Sequence, residues 1–198
     1  MSHIQLPDGS LRREIKDAAW QLDTELTATE RRYLAEVYAD LCRLDNMTRG
    51  VYAEALVAEA LPGAARPSGW GAVDVLWDNI SIQVKTSGAR QSWHIADHAP
   101  SPAQWTISQK SIWDAASNTY SAPAWHCDVY VLARHEGTDH RSGWTFHVLS
   151  RAELVALSGA RKSVTAARLE SAGYVPATAE ELPAAIRSRR SQREVGLT

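Results

Sequence analysis

Residues 71–86, Gly-Ala-Val-Asp-Val-Leu-Trp-Asp-Asn-Ile-Ser-Ile-Gln-Val-Lys-Thr, constrain the fold more than any other stretch of the chain. Two runs of β-branched and apolar residues flank Asp78-Asn79, a dipeptide suited to a two-residue hairpin loop. That turn fixes a register in which Trp77 faces Ile80, Leu76 faces Ser81, Val75 faces Ile82, and Asp74 faces Gln83. Alternation then puts Ser81, Gln83 and Lys85 on one face of the second strand, and Ile80, Ile82 and Val84 on the other. Asp74, Gln83 and Lys85 are therefore expected to converge on one polar patch backed by an apolar one. A carboxylate, an amide and an amine held on a rigid hairpin form a candidate site.

The flanking sequence supplies the rest of an α/β core. Apolar residues at three- and four-residue spacing predict helices over Leu11–Leu22 and Thr27–Leu44, the second opened by a Thr27-x-x-Glu30 capping box. A third helix, Thr48–Leu61, ends at Pro62-Gly63 and is apolar on most sides, so it is expected to lie against the sheet. Glu54 falls on an apolar face of that helix, three and seven residues before Val57 and Leu61. A carboxylate there needs a partner, either a metal ion or solvent at the helix edge, with Glu59 as the alternative ligand. Asp128–Ala133 is a nearly continuous apolar run, suited to a strand covered on both sides. His135–Gly143 is a polar connection, and Trp144–Leu149 alternates as a half-buried strand. Helices are expected at Ser150–Leu157, Val164–Ala172 and Ala179–Ile186, the last followed by a frayed basic tail. Residues 87–127 leave two readings open: a helix from Ser101-Pro102 or a short strand at Trp105-Thr-Ile, with Asn118–Pro123 as a loop.

Asp74, eight intervening residues, then Gln83-Val84-Lys85 resembles the signature of the PD-(D/E)XK nuclease superfamily, the restriction-endonuclease-like fold. The likeness extends to Arg49–Leu61, similar to the family's first core helix, and to Asp128–Ala133 and Trp144–Leu149, which look like its later core strands. It covers roughly residues 46–157. Val73 stands where the family name has proline, and Gln83 stands where an acidic residue is usual. The resemblance implies a central mixed sheet of about four to five strands flanked by helices, with extra helices at both ends. Residues 1–198 would form a single domain, with N-terminal helices over 1–45 and C-terminal helices and a basic tail over 158–198.

The same resemblance implies a Mg²⁺-dependent endonuclease hydrolysing DNA phosphodiester bonds, of restriction, defence or repair type, with Mn²⁺ as a substitute ion. Asp74 would be the central metal ligand, joined by the Gln83 amide oxygen, the Val84 backbone carbonyl and Glu54. Mg²⁺ takes oxygen ligands and keeps several waters, so one or two carboxylates suffice. Lys85 would orient the attacking water and stabilise charge on the phosphate. Replacing an acidic residue by Gln83 leaves two negative ligands rather than three, which implies weaker metal binding. Restriction enzymes of this family often act as homodimers on palindromes. The alternative within the fold is an inactive protein that binds nucleic acid or a protein partner, with Asp74 and Lys85 as a cross-strand ion pair. A third reading makes the hairpin merely structural; Glu54 would then lie far from Asp74, and the later strands would leave the sheet.

At 198 residues the chain suits one domain, and a hydrophobic fraction of 44% with 22% charged residues is ordinary for a globular protein. A net charge of −2 gives no global attraction to nucleic acid, so phosphate binding must be local. The basic candidates are Arg49, Arg90, Lys110, Arg161-Lys162, Arg187, Arg189, Arg190 and Arg193. Most such residues are solvated faces, and Arg90, just beyond Lys85, is the strongest of them. Trp93 and His94 are further candidate contacts after the hairpin, and Trp70 and Trp93 could stack on bases, although tryptophans more often pack in cores. His94-Ile-Ala-Asp-His98 has the spacing of a helical metal pair but lacks the Glu of a zinc protease motif. His126-Cys127 opens an apolar strand, which favours burial over a thiol nucleophile. Isolated Cys42 and Cys127, with no apolar stretch at the N-terminus, predict a cytoplasmic location.

Overall fold

The structure, a computed structural model, describes residues 26–67, 71–91, 99–114 and 118–195. The expected helix over Leu11–Leu22 lies outside these residues. The first described helix is α1 (Ala28–Cys42), opened by the expected capping box: the Thr27 N–H donates to the Glu30 carboxylate at 2.7 Å, and the Glu30 N–H donates to Thr27 Oγ1 at 3.2 Å. Helix α2 (Asn46–Ala60) starts two residues earlier than expected because the Asp45 carboxylate accepts from the Met47 and Thr48 N–H groups. The hairpin follows as β1 (Val75–Trp77) and β2 (Ile80–Gly88), then the short strands β3 (Gln104–Thr106), β4 (Trp113–Asp114) and β5 (Thr119–Tyr120). The chain continues through β6 (Val129–His135), β7 (Trp144–Ser150), α3 (Arg151–Ser158), β8 (Ser163–Thr165), α4 (Ala166–Ser171) and α5 (Leu182–Val195).

The protein is α/β. Four strands form a mixed sheet in the order β1-β2-β6-β7, with β2 and β6 parallel and the other pairs antiparallel. One face carries Val75, Ile80, Ile82, Val84, Val129, Val131 and Val148, and is covered by α2 through Ala53 and Val57 and by α5 through Leu182 and Ile186. The other face carries Tyr130, Leu132 and Leu149 under Trp105, Leu154, Val164 and Leu169, drawn from β3, α3, β8 and α4. Strand β6, buried on both sides, is the continuous apolar run. The core thus draws on Val164, Leu182 and Ile186, beyond residue 157.

Several expectations are corrected. Val164 does not begin a helix; Ser163–Thr165 pairs with Gln104–Thr106, and α4 starts only where the Thr165 side chain caps the Arg168 N–H. The β-branched residues find a free strand edge, and the cap then turns the chain. Of the two readings at Trp105, the strand is found. Asn118–Pro123 is not wholly loop, since Thr119 and Tyr120 pair with Asp114 and Trp113. Strand β7 is not half-buried: His147 and Leu149 are covered as fully as Phe146 and Val148, because the second layer closes over them. Arg187, Arg189 and Arg190 are held in place rather than frayed. Arg187 lies 4.6 Å over the Trp77 ring and pairs with Asp78, Arg190 donates to the Asp78 carbonyl, and Arg189 pairs with Glu153, so the helix continues to Val195.

Candidate active site

The β1–β2 turn is built as the sequence implies. Asp78 and Asn79 have φ of 47° and 59°, both left-handed as a type I′ turn requires, and the register pairs Trp77 with Ile80, Leu76 with Ser81 and Val75 with Ile82. One residue further the ladder departs from its ideal course. The Asp74 N–H donates to the Ile82 carbonyl at 3.0 Å, although Ile82 is already the partner of Val75. Two residues therefore oppose one, a bulge that re-aims the Asp74 side chain. Its carboxylate Oδ2 accepts the Val84 N–H at 2.8 Å, taking the place of the next rung. A strand residue directs its N–H and C=O to the same edge, so the Val84 carbonyl faces the same edge as this bond.

Gln83 is buried at 3% exposure, and its Nε2 donates to the Ala72 carbonyl at 3.2 Å, which leaves Oε1 as the end outside that bond. Lys85 is half-buried. Burial pushes its pKa down first, and the adjacent Lys110 side chain adds to this, while Asp74 and Glu54 pull it up. Glu54, from α2, joins the same group: burial raises its pKa, the Arg66 hydrogen bond opposes this, and the Asp74 carboxylate raises it again. Glu54, Asp74, Gln83, Lys85 and Lys110 are thus gathered at the end of β1 from three separated segments. Gln83 and Lys110 also line one hollow with Ala72, Ser108, Ala124, His126 and Tyr130.

Other expected residues sit elsewhere. Arg49, expected as a nucleic-acid contact, is 1% exposed. Its guanidinium donates to the Arg90 carbonyl at 2.6 Å and to Gln91 Oε1 at 2.8 Å, and it also holds Asn46, so it staples α2 to the end of β2. Its place on the packed face of α2 put it there. Arg90 is partly exposed beyond β2. Trp70, Trp93, His94 and His98 lie outside the described residues. Glu59 is exposed, whereas Glu54 is coupled to Asp74 and Lys85. Cys127 is buried with its thiol against the Ala72 carbonyl, and burial pushes its pKa up to about 12, which suits packing rather than attack. Of two further members of the site, the sequence offers Lys110 only as one candidate phosphate contact among several, and Arg66 not at all. Only the loop that folds back over β2 brings Lys110 to Lys85.

The donor set consists of hard oxygens: two carboxylates that repel each other, the carbonyl of Val84 and the amide oxygen of Gln83. That chemistry fits Mg²⁺ or Mn²⁺, although among the described residues no three His, Cys, Asp or Glu side chains cluster as a metal site. Arg66 holds Glu54 at 2.6 Å, but its side chain is 37% exposed, and such a pair contributes about 0–1 kcal/mol and can yield to a cation. No protein-family model matches the sequence, and no curated protein matches it either. Among the described residues no helix is long and apolar enough to cross a membrane.

Proposed function

We propose that this protein is a metal-dependent endonuclease hydrolysing DNA phosphodiester bonds. The observation that carries the reading is the Asp74 carboxylate, held by the Val84 N–H at the bulged end of β1, with Glu54 and Lys85 within electrostatic reach of it. The purely structural reading of the hairpin required Glu54 far from Asp74 and later strands outside the sheet; neither condition holds.

The division of labour follows from the surroundings of each group. Asp74, pinned by the Val84 N–H, Glu54, Gln83 Oε1 and the Val84 carbonyl would hold Mg²⁺. The chemistry supplied by that ion when bound is Lewis-acid neutralisation of charge on the phosphoryl oxygens. Lys85 orients the attacking water and stabilises negative charge as the water oxygen bonds to phosphorus and the bond to the leaving oxygen breaks. Its depressed pKa would let the ammonium give a proton to the leaving oxygen, the resulting amine regaining one from the attacking water. Arg66 holds Glu54 in place before metal binds. Free Cys42 and Cys127 suit a reducing compartment, which supports a cytoplasmic reading. A homodimer would let two such sites cut both strands.

The test is cleavage of plasmid and linear DNA with Mg²⁺, Mn²⁺ or EDTA, for the wild type and for Asp74→Ala and Lys85→Ala. Metal-dependent cutting, lost in both variants, is the expected result; cutting that survives both substitutions would sink the assignment. The second reading, an inactive nuclease-fold binding protein, is favoured by the Arg66–Glu54 pair and by Gln83 in place of a third carboxylate. Binding of DNA without cleavage of any DNA or RNA would select it.

A further inference from the structure

Beside the site stands a feature that the catalytic reading does not use. The chain leaves the hollow at Lys110 and returns to it at Ala124 and His126, with Lys110 and Ala124 exchanging backbone hydrogen bonds at 3.0 Å. Between them β4 and β5 form a two-stranded hairpin in which Trp113 pairs directly with Tyr120. Those two rings lie 5.0 Å apart, are 46% and 69% exposed, and belong to neither hydrophobic core. At the base of the hairpin Lys110 lies beside Lys85, which the Asp74 and Glu54 carboxylates also face, and the pairing partner of Lys110 on the ladder is Ala124, not an acid. Lys110 adds a second positive charge at the edge of the site.

We propose that this hairpin is the arm with which the site grips a single-stranded or unpaired nucleic-acid segment. Lys110 takes a backbone phosphate next to Lys85, and the Trp113–Tyr120 pair stacks on an exposed base. Lys110 and Trp113 are three positions apart along the chain, a reach of about 10 Å, which spans one to two nucleotides of an extended strand. Positive charge at the root with exposed aromatic rings further along is the combination that binds unpaired nucleotides. A second copy of the chain is the weaker occupant, because two aromatic side chains bury at most about 500 Å². A stable dimer needs roughly 800 Å² per partner. The inference rests on the nucleic-acid reading of the site and specifies its substrate.

The experiment measures anisotropy of a fluorescein-labelled oligothymidylate and of a fully paired duplex. The proteins are the full chain carrying Asp74→Ala, and the same chain with Trp113→Ala/Tyr120→Ala or with Lys110→Ala added. Both rings are exposed, so the melting temperature of the aromatic variant should match its parent, and this is checked first. The aromatic variant should bind oligothymidylate about tenfold or more weakly, with a smaller effect on the duplex. Lys110→Ala should weaken both and lower the salt dependence by about one phosphate contact. Unchanged oligothymidylate binding by the aromatic variant, with the parent binding normally, overturns the arm and leaves the nuclease reading standing. So does a loss of dimer in that variant with DNA affinity kept, which would make the hairpin a contact between copies. Absence of both DNA binding and cleavage in the wild type overturns the arm and the nuclease reading together.

Discussion

His147 shows how a single residue can work against the fold that holds it. It is fully buried on β7 with its ring edge-on to Trp105, and neither ring nitrogen has a hydrogen-bond partner among the described residues. A buried polar atom without a partner costs about 1–3 kcal/mol. His147→Leu is therefore expected to raise stability at neutral pH by about 1 kcal/mol, read from the urea midpoint at constant slope. Burial, with Arg134 nearby, also pushes the His147 pKa below its usual 6.5. The unfolded chain then binds the proton more readily, so the stability conferred by the neutral ring is complete above pH 6.5 and declines as pH falls toward the lower folded value. Glu54, raised by burial, acts in the opposite sense, so the comparison must be wild type against variant. The gain from His147→Leu should widen between pH 7 and pH 5; a gain that is flat with pH would mean the ring is already solvated. Arg49 shows the converse. Its guanidinium is buried but, Nε apart, bonded to Arg90, Gln91 and Asn46, and Arg49→Ala should cost about 2–4 kcal/mol with loss of the α2–β2 staple.

At the scale of elements, what the sequence announced was whatever local chemistry decides. The Thr27–Glu30 capping box, the Pro62-Gly63 stop after α2 and the Asp78-Asn79 turn are each set by residues within a few positions of one another. They appear where the pattern puts them, and the turn fixes the register of the site hairpin. Strands β3 and β8 are short, and each exists because a distant segment supplies its partner, Trp105 against Val164; β4 and β5 pair locally but are only two residues each, too short for alternation to show. No local period marks such a strand. The turn also offers a direct test of this local control. Asn79 holds φ of 59°, which costs a side-chain-bearing residue more than glycine. Asn79→Gly should stabilise by up to about 1 kcal/mol, and Asn79→Ile should destabilise by about 1–2 kcal/mol, as β-branched residues resist this region. Asp78 should stay in both variants, because its side chain and carbonyl hold Arg187 and Arg190. Equal melting temperatures for the two substitutions would show that the turn does not control the hairpin.

Across the whole molecule, half of the site was written locally and half was not. Asp74, Gln83 and Lys85 share one hairpin, so alternation alone nearly placed them; the bulge at Asp74 was invisible because nothing in the side chains marks it. Glu54 followed from helical spacing, while Lys110 and Arg66 arrive through loops whose paths depend on the complete core. The same dependence limits how far the chain can be cut. The stretch 46–157 contains every proposed ligand, yet one face of its sheet is sealed by Leu182 and Ile186 of α5 and the other by Val164 and Leu169. Exposing two fully buried aliphatic side chains on each face costs about 1.5–3 kcal/mol per side chain, a sum comparable to the 5–15 kcal/mol that holds a domain together. A fragment of residues 46–157 is therefore expected to lack a cooperative thermal transition by circular dichroism, whereas residues 26–195 should melt as one unit. Ile186→Ala in the full chain should cost about 2–5 kcal/mol without altering any group at the site. A fragment 46–157 that melted cooperatively would show that α5 decorates the core rather than completing it.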